Sequence, residues 1–252
     1  MSTAALGVLA LAAHRDDVEQ TCGGTLLKMA DRGHRTGILD LTQGEMGTRG
    51  TAGDRAREAQ EAARLLKVSF RQALDLPDGR VENTWSNRVK VARVIREQRP
   101  RVLIVPYWKG RHPDHYAASL LGYEAAFIAG LKKLGKTPAS SDEGEKELAD
   151  LPPHRPFKII YASLYYDVRP TFVVDITEQF ETRLKALLRY RSQYADQSAG
   201  SGLFPAEQEI RTRMETMASF YGLLVGVKYA EPFVQKEVAL VDDVTTLPVQ
   251  SI

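Results

Sequence analysis

Disulfides, membrane spans and a strong charge excess are all missing from this sequence. Its one cysteine, Cys22, excludes an intrachain disulfide and is typical of a reducing compartment. Its 34 basic and 32 acidic side chains leave a net charge of +2, so we expect neither nucleic acid nor a membrane as a partner. No run approaches the ~18 consecutive apolar residues of a membrane-spanning helix.

The first apolar run, residues 4–13, has the composition of a signal-peptide core but lacks the basic segment that precedes one. It also leads directly into a cluster of polar residues that cleavage would remove. We therefore interpret it as a buried strand and expect a cytoplasmic protein.

Apolar strands alternate with helical segments along the chain. The predicted strands are residues 7–13, 36–41, 71–76, 102–106, 158–166 and 171–176. The predicted helices are residues 25–31, 55–66, 83–98, 117–134, a segment ending near 194, and 206–222, with polar loops at 136–156 and 197–205. This alternation predicts an α/β fold, a Rossmann-like three-layer sandwich with a mostly parallel central sheet. We expect one domain over residues 1–252, in which the portion from about 157 to 252 completes the sheet and supplies oligomer contacts.

Two short polar clusters follow predicted strands. The first, AHRDD at residues 13–17, comes after the first strand, and the second, HPDH at residues 112–115, follows the fourth. They contain three of the five histidines in the chain. Because ligands of such sheets bind beyond the carboxyl ends of the strands, we expect the active site there. Imidazole and carboxylate ligands with a spare carboxylate base are what a hydrolytic zinc site requires.

Each cluster taken alone has a plainer interpretation. Asp16 and Asp17 also fit an acidic first helical turn that favours the helix dipole. Residues 112–115 also fit a solvated loop with a Pro-Asp turn. The occurrence of both clusters at strand ends favours the metal site, and the glycine pattern of a dinucleotide site is absent after the first strand.

The two clusters resemble the motifs of the LmbE-like, or PIG-L-like, zinc deacetylases, A-H-P-D-D and H-P-D-H. The first matches with Arg15 in place of proline, and the second matches completely. Further matches are GGT at 23–25, LTQGE at 41–45, LPD at 76–78, YRSQY at 190–194 and YAEPF at 229–233. Within the family the sequence is most similar to the deacetylases of bacillithiol biosynthesis. The segments that carry this closer similarity include residues 106–115 and the YAEPF segment.

The resemblance implies a role for each polar residue of the clusters. The implied ligands of one zinc ion are His14, Asp17 and His115. Asp16 would be the general base, and a cationic His112 would polarise the carbonyl or donate a proton, with Asp114 behind it. Fe(II) also suits two histidines and one carboxylate, so the metal stays open. We expect Arg15 to point outward and leave the zinc site intact.

Substrate contacts are predicted on the same basis. The side chains that match the glucosamine pocket of the family are Glu45, Arg55 and Asp78. The candidates for binding malate carboxylates are Arg49, Lys109 and Arg111, because cationic side chains pair well with carboxylates. For Arg55 and for each of these three cations the alternative is a solvated surface residue. Tyr194 either contributes a hydroxyl to the site or packs against a helix end, and we favour packing.

The function implied is zinc-dependent hydrolysis of the acetamide of N-acetylglucosaminyl-malate, as in bacillithiol biosynthesis. Alternatives of the same class are deacetylation of another N-acetyl sugar, such as N-acetylglucosamine or a chitin fragment, and cleavage of a mycothiol-type conjugate. An alternative of a different class is a non-catalytic sugar- or nucleotide-binding module. Asp16 argues against it, because a binding module does not need a carboxylate base beside the metal ligands. The resemblance also implies a homo-oligomer, a hexamer, with a small-molecule substrate as the other partner.

Overall fold

The computed structural model describes residues 5–137, 143–163, 168–194 and 207–249. Its strands are β1 (Val8–Ala12), β2 (Thr36–Asp40), β3 (Phe70–Ala73), β4 (Val102–Pro106), β5 (Lys158–Ala162), β6 (Phe172–Asp175) and β7 (Ala230–Val234). Its α-helices are α1 (Asp17–Thr21), α2 (Gly23–Asp31), α3 (Ala52–Leu65), α4 (Trp85–Gln98), α5 (Pro113–Ala129), α6 (Glu143–Glu147), α7 (Phe180–Leu187), α8 (Arg191–Tyr194) and α9 (Glu207–Leu223). Short 3-10 turns lie at Leu148–Asp150 and Val244–Thr246.

The strands in these ranges form a seven-stranded sheet with the order β3-β2-β1-β4-β5-β7-β6. The pairs β1–β2, β1–β4, β2–β3 and β4–β5 are parallel, whereas β7 runs antiparallel to β5 and β6. The predicted mostly parallel α/β fold is confirmed. From β1 the chain adds β2 and β3 on one side and then crosses to add β4 and β5 on the other side. The crevice between β1 and β4 is therefore the switch point of the sheet, where open α/β sheets bind ligands.

The sheet is buried on both faces, which explains why its central strands are continuously apolar. Leu9 and Leu11 of β1 belong to one core with α4 and α5, while Val8, Ala10 and Ala12 belong to a second core with α1 and α2. The close approach of α5 depends on a glycine on its inner face. A Cβ at Gly122 would lie 2.8 Å from Cγ1 of Val105 on β4.

Several predicted elements differ from the observed ones. The strand predicted at 71–76 is observed as β3, which is shorter and starts one residue earlier. The segment 136–156, predicted as a polar loop, contains helix α6. The segment predicted to end near 194 is divided into α7 and α8. Residues 164–166 of one predicted strand and the predicted loop at 197–205 lie outside the described residues. Helix α1 and strand β7 were not predicted as elements.

Residues beyond position 157 contribute β5, β6 and β7 to the same sheet as the first four strands. Among the described helices, none combines the length and the apolar character needed to cross a membrane.

Candidate metal centre and active site

Three predicted ligands converge where β1 and β4 end. His115 Nε2 lies 3.3 Å from Nδ1 of His14 and 3.2 Å from Oδ1 of Asp17. His14 Nδ1 lies 3.5 Å from Oδ2 of Asp17. Tetrahedral ligands at ~2.0–2.1 Å from zinc are separated from each other by about 3.3 Å. The two ring nitrogens have this spacing, and each lies at a similar distance from one oxygen of the Asp17 carboxylate.

The second ring nitrogen of His14 faces two buried carboxylates. Nε2 lies 3.1 Å from Oδ1 of Asp78 and 3.3 Å from Oδ2 of Asp114. Asp114 also accepts hydrogen bonds from the backbone N–H groups of Gly79, at 2.8 Å, and Val81, at 3.1 Å. These contacts fix the imidazole and direct Nδ1 toward the other ligands, as carboxylates behind metal-binding histidines do.

The position of these carboxylates corrects two expectations. Asp114 lies behind His14, whereas the resemblance implied that it lies behind His112. Asp78 is buried against His14 and accepts the backbone N–H of Met46 at 3.0 Å, so it does not project into an open sugar pocket.

Two further sets of side chains are close enough to hold a metal ion. They are His14 with His112 and His115, and His14 with Asp78 and Asp114. In the second set both carboxylates already accept backbone hydrogen bonds, which leaves fewer lone pairs for a cation. All three arrangements share His14, so this residue is the centre of the candidate metal site.

The charge pattern around His14 favours a cation. Burial alone would lower the pKa of His14, but hydrogen bonds to Asp114 and Asp17 and the charge of Asp17 outweigh it and raise the pKa to about 12. Burial opposes ionisation of Asp17, yet the charges and hydrogen bonds of His115 and His14 hold the pKa of Asp17 well below its ordinary range. The cluster therefore stabilises positive charge between Asp17 and the two imidazoles.

His112 stands at the start of α5 and is exposed. Its Nδ1 accepts the backbone N–H of Asp114 at 3.2 Å, which places the proton of the neutral ring on Nε2. Burial and the neighbouring charges of His14 and His115 lower the pKa of His112. Because Nδ1 accepts a hydrogen bond, Nε2 is the ring nitrogen that can donate one, and the role of His112 toward the carbonyl stays a prediction.

Asp16 is held by groups from two distant helices. Nη2 of Arg55 donates to its Oδ1 at 3.0 Å, and the hydroxyl of Tyr194 donates to Oδ2 at 2.6 Å. Gln20 Nε2 also donates to Oδ2, at 3.2 Å. Tyr194 thus supplies a hydroxyl to the site, contrary to the packing role that we favoured. Arg55, predicted in the sugar pocket, is buried and bound to Asp16.

A buried ion network lies beneath the two aspartates. Arg71 contacts Oε1 of Glu19 at 2.7 Å and both carboxylate oxygens of Asp40, at 2.9 and 3.0 Å, and it donates to the carbonyl of Arg15. Tyr190 donates to the same carbonyl and, at 3.1 Å, to Glu19. The loop that carries Asp16 is therefore fixed from below. The sequence signal for this network was Arg71 itself, a charged residue within β3.

Arg15 does not point outward as expected. It is buried, and its Nη1 donates to the carbonyl of Ala52 at 2.7 Å. Burial lowers the pKa of Arg15, and the charge of Asp40 offsets this shift only in part. The side chain that replaces the family proline thus ties the first motif to the start of α3.

The remaining predicted substrate residues fall into two groups. Arg49 is buried and donates to the carbonyl of Gln193 at 3.4 Å, so it is not placed to receive a carboxylate from solvent. Glu45 is exposed and accepts the backbone N–H of Asp78 at 2.8 Å. Lys109 and Arg111 are exposed on the loop between β4 and α5.

A small apolar cavity adjoins the predicted ligands. Its volume is about 20 Å³, and its walls include Asp17, His115, Val18, Ile104 and Ala162. A space of this size holds about one water-sized group.

Comparison with known proteins identifies the family. The model of the PIG-L family, GlcNAc-PI de-N-acetylase, matches residues 9–126. A diacetylchitobiose deacetylase of Thermococcus kodakarensis is 31% identical over 237 residues, which cover 89% of this chain and 80% of that protein. The chain belongs to the PIG-L family of de-N-acetylases. It is accordingly an enzyme that acts on amide C–N bonds, a deacetylase of N-acetylated, sugar-like substrates.

Solved structures extend the likeness of this PIG-L family member beyond the segment that the family model matches. A conserved protein of Thermus thermophilus is 36% identical with a TM-score of 0.79, and the match covers 94% of this chain and 98% of that one. An inhibitor-bound N,N'-diacetylchitobiose deacetylase of Pyrococcus horikoshii is 28% identical with a TM-score of 0.74, over 90% of this chain and 82% of that one.

Proposed function

We propose that the protein removes the acetyl group from an N-acetylglucosamine unit of a short chitin fragment in a zinc-dependent reaction. The observation that carries the proposal is the convergence of His14, Asp17 and His115 beside a separately held carboxylate, Asp16. Two relatives named above act on diacetylchitobiose, which favours the chitin-fragment alternative over the malate conjugate. The burial of Arg49 also weakens the malate assignment.

His14, Asp17 and His115 are the residues that would hold the zinc ion. When bound, zinc lowers the pKa of a water molecule to about 7 and acts as a Lewis acid on the amide carbonyl. The donor set of two imidazoles and one carboxylate, with the back of His14 held by Asp78 and Asp114, fits this metal.

The protein's own groups supply the proton transfers. Asp16 accepts a proton from the attacking water, and its hydrogen bonds from Arg55 and Tyr194 fix its direction. His112, whose Nδ1 accepts a backbone N–H, donates a hydrogen bond from Nε2 to the carbonyl oxygen as that oxygen gains charge. When the C–N bond breaks, Asp16 returns the proton to the amine nitrogen, and acetate and a glucosamine unit leave.

The small cavity beside Asp17 and His115 accommodates the methyl group of the acetamide. Its volume of about 20 Å³ is that of one small group, which favours an acetyl methyl over a longer acyl chain. The sugar then lies toward the exposed rim, where Glu45, Lys109 and Arg111 are placed for contacts to its hydroxyl groups.

The proposal is tested by measuring acetate release from diacetylchitobiose, N-acetylglucosamine and N-acetylglucosaminyl-malate with the zinc-loaded full chain. We expect the fastest turnover with diacetylchitobiose, and its loss in His115→Ala. Faster turnover of the malate conjugate would restore the bacillithiol assignment. Zinc binding without turnover of any of the three would contradict the proposed activity.

The family resemblance adds the expectation of a homo-oligomer, a hexamer. A cytoplasmic location is proposed on other grounds, the single cysteine, Cys22, and the interpretation of the first apolar run as a buried strand.

A further inference from the structure

The outer face of α5 is apolar. Its inner face packs on the sheet and on α4. Between residues 116 and 129, the exposed side chains are Tyr116, Leu120, Tyr123 and Phe127, and we call these four the α5 stripe. They are spaced by four, three and four residues, so they share one face of the helix. The outer face of a surface helix is ordinarily polar, and an apolar stripe marks an interaction site.

The end of the described chain also exposes apolar side chains. Residues 237–249, which we call the C-terminal arm, follow β7, and every one of them is exposed. The aliphatic side chains of the arm are Val238, Leu240, Val241, Val244, Leu247 and Val249. Leu240 is 98% exposed. A segment with this many branched aliphatic residues has the composition of a packing surface rather than of a solvated tail.

The arm leaves the body of the protein beside the stripe. Nζ of Lys236, the residue before the arm, lies 4.7 Å from the ring centre of Tyr123 and 5.0 Å from that of Trp108. The arm nevertheless does not bury its aliphatic side chains on the stripe of its own chain. Fully extended, its 13 residues span about 43 Å, which is enough to reach an adjacent copy.

Charge is complementary between the two surfaces. The charged residues of the arm are all acidic: Glu237, Asp242 and Asp243. Glu237 pairs with Lys158 of its own chain at 3.1 Å, so Asp242 and Asp243 supply the charge that faces a partner. Cations border the stripe, since Lys236 lies over Tyr123 and the guanidinium of Arg155 lies 4.7 Å from the ring centre of Phe127. An acidic, aliphatic segment therefore fits an aromatic surface with a basic border.

We propose that copies of this chain associate by exchanging C-terminal arms, with the arm of one copy packed on the α5 stripe of another. The occupant of the stripe is thus a second copy of the same chain. A reciprocal exchange covers both apolar surfaces and closes the assembly. The α5 stripe begins one residue after His115, so the arm of the partner would lie close to the entrance of the candidate active site.

Disulfide trapping between two variants tests the exchange directly. The full chain with Leu120→Cys is mixed with the full chain carrying Leu240→Cys, and the mixture is oxidised with a mild thiol oxidant. The natural Cys22 is buried and does not compete. We expect a covalent dimer that contains one copy of each variant. The matched control is Leu223→Cys, which places a thiol at another exposed leucine, on α9, and should give at least tenfold less cross-linked dimer with Leu120→Cys.

Two results would overturn the proposal. One is the absence of a dimer above the level of the Leu223→Cys control. The other is a disulfide that forms only within one chain when Leu120→Cys and Leu240→Cys are combined, since the arm would then cover its own stripe.

The mass of the assembly gives an independent test. Removal of residues 238–252, or Phe127→Glu, should lower the mass measured by light scattering at least twofold, while Leu223→Glu should leave it unchanged. Loss of mass in Leu223→Glu alone would place the interface on α9 instead. Unchanged mass in both of the first two variants, with their folding verified by circular dichroism, would also contradict arm exchange.

Discussion

The hydroxyl of Tyr194 lies 2.6 Å from Oδ2 of Asp16, on the carboxylate whose other oxygen accepts a hydrogen bond from Arg55. The two donors come from α8 and α3, and Asp16 comes from the loop after β1. Three segments far apart in the chain therefore fix one carboxylate. A carboxylate that is held from both oxygens points in one direction and loses little freedom in a transition state, as the base proposed above requires.

We expect Tyr194→Phe to lower kcat about 10-fold to 100-fold with little change in KM. A hydrogen bond to a charged group contributes about 1.5–3 kcal/mol, and this one positions the base rather than binding the sugar. Steady-state kinetics on diacetylchitobiose measures the effect. Tyr123→Phe, a matched loss of an exposed hydroxyl on α5, should leave kcat unchanged. A rise in KM alone for Tyr194→Phe would instead indicate a substrate contact.

Asp16→Asn and Asp17→Asn should separate the base from the metal ligand. Asp16→Asn should lower kcat/KM by about 10²–10⁴ while the bound zinc stays at one equivalent, because the loss of a general base does not remove a ligand. Asp17→Asn should lower the zinc content itself. Metal analysis together with kinetics distinguishes the two. Loss of zinc in Asp16→Asn would reverse the assignment of the two carboxylates.

The sequence was informative where the signals are local. Each of the two polar clusters lies within five consecutive residues, and each follows a short apolar strand, so their convergence at the sheet edge followed from the parallel topology. The same topology brought His14 and His115 to a separation of 3.3 Å between ring nitrogens. This part of the candidate site was predictable without any knowledge of side-chain packing.

Contacts between distant segments were not predictable in this way. Arg15 has an arginine's usual preference for solvent, and its burial depends on two groups distant in the sequence, the carbonyl of Ala52 and the charge of Asp40. Strand β7 contains Glu231 and Pro232, which interrupt an apolar strand pattern. Glu231 is tolerated inside because it accepts the backbone N–H groups of Gly24, at 2.8 Å, and Thr25, at 2.7 Å, more than 200 positions away.

Removal of metal should lower both activity and thermal stability. A cation held by His14, Asp17 and His115 would bind the folded chain, in which these three side chains lie together, and not the unfolded one, so its binding should stabilise the fold. We expect a chelator to abolish acetate release and to lower Tm, with recovery of both on addition of zinc. The variant His115→Ala should show no chelator-dependent change in Tm. A chelator-insensitive wild type would argue against a metal at this cluster.

Arg71→Met should destabilise the protein by about 3–5 kcal/mol, because it leaves Glu19 and Asp40 buried without their cation. Chemical denaturation measures the change. The control Arg93→Met removes a cation from an exposed pair with Glu97, for which about 0–1 kcal/mol is expected. Equal losses in the two variants would show that the network beneath the site contributes no more than a surface ion pair.

The size of the cavity beside Asp17 and His115 predicts a dependence on acyl length. Ala162 lines this cavity, so Ala162→Val fills a space that otherwise accepts the acetyl methyl. Overpacking of this kind costs about 1–3 kcal/mol, and we expect kcat/KM for the N-acetyl substrate to fall about 10-fold or more. The N-formyl analogue lacks the methyl and should retain its rate in the same variant, whereas the N-propionyl analogue should be poor already in the wild type. Equal losses of kcat/KM for the formyl and acetyl substrates would mean that Ala162→Val disturbs the proposed metal ligands rather than the binding of the acyl group. Ready hydrolysis of the propionyl amide by the wild type would place the acyl chain outside the cavity.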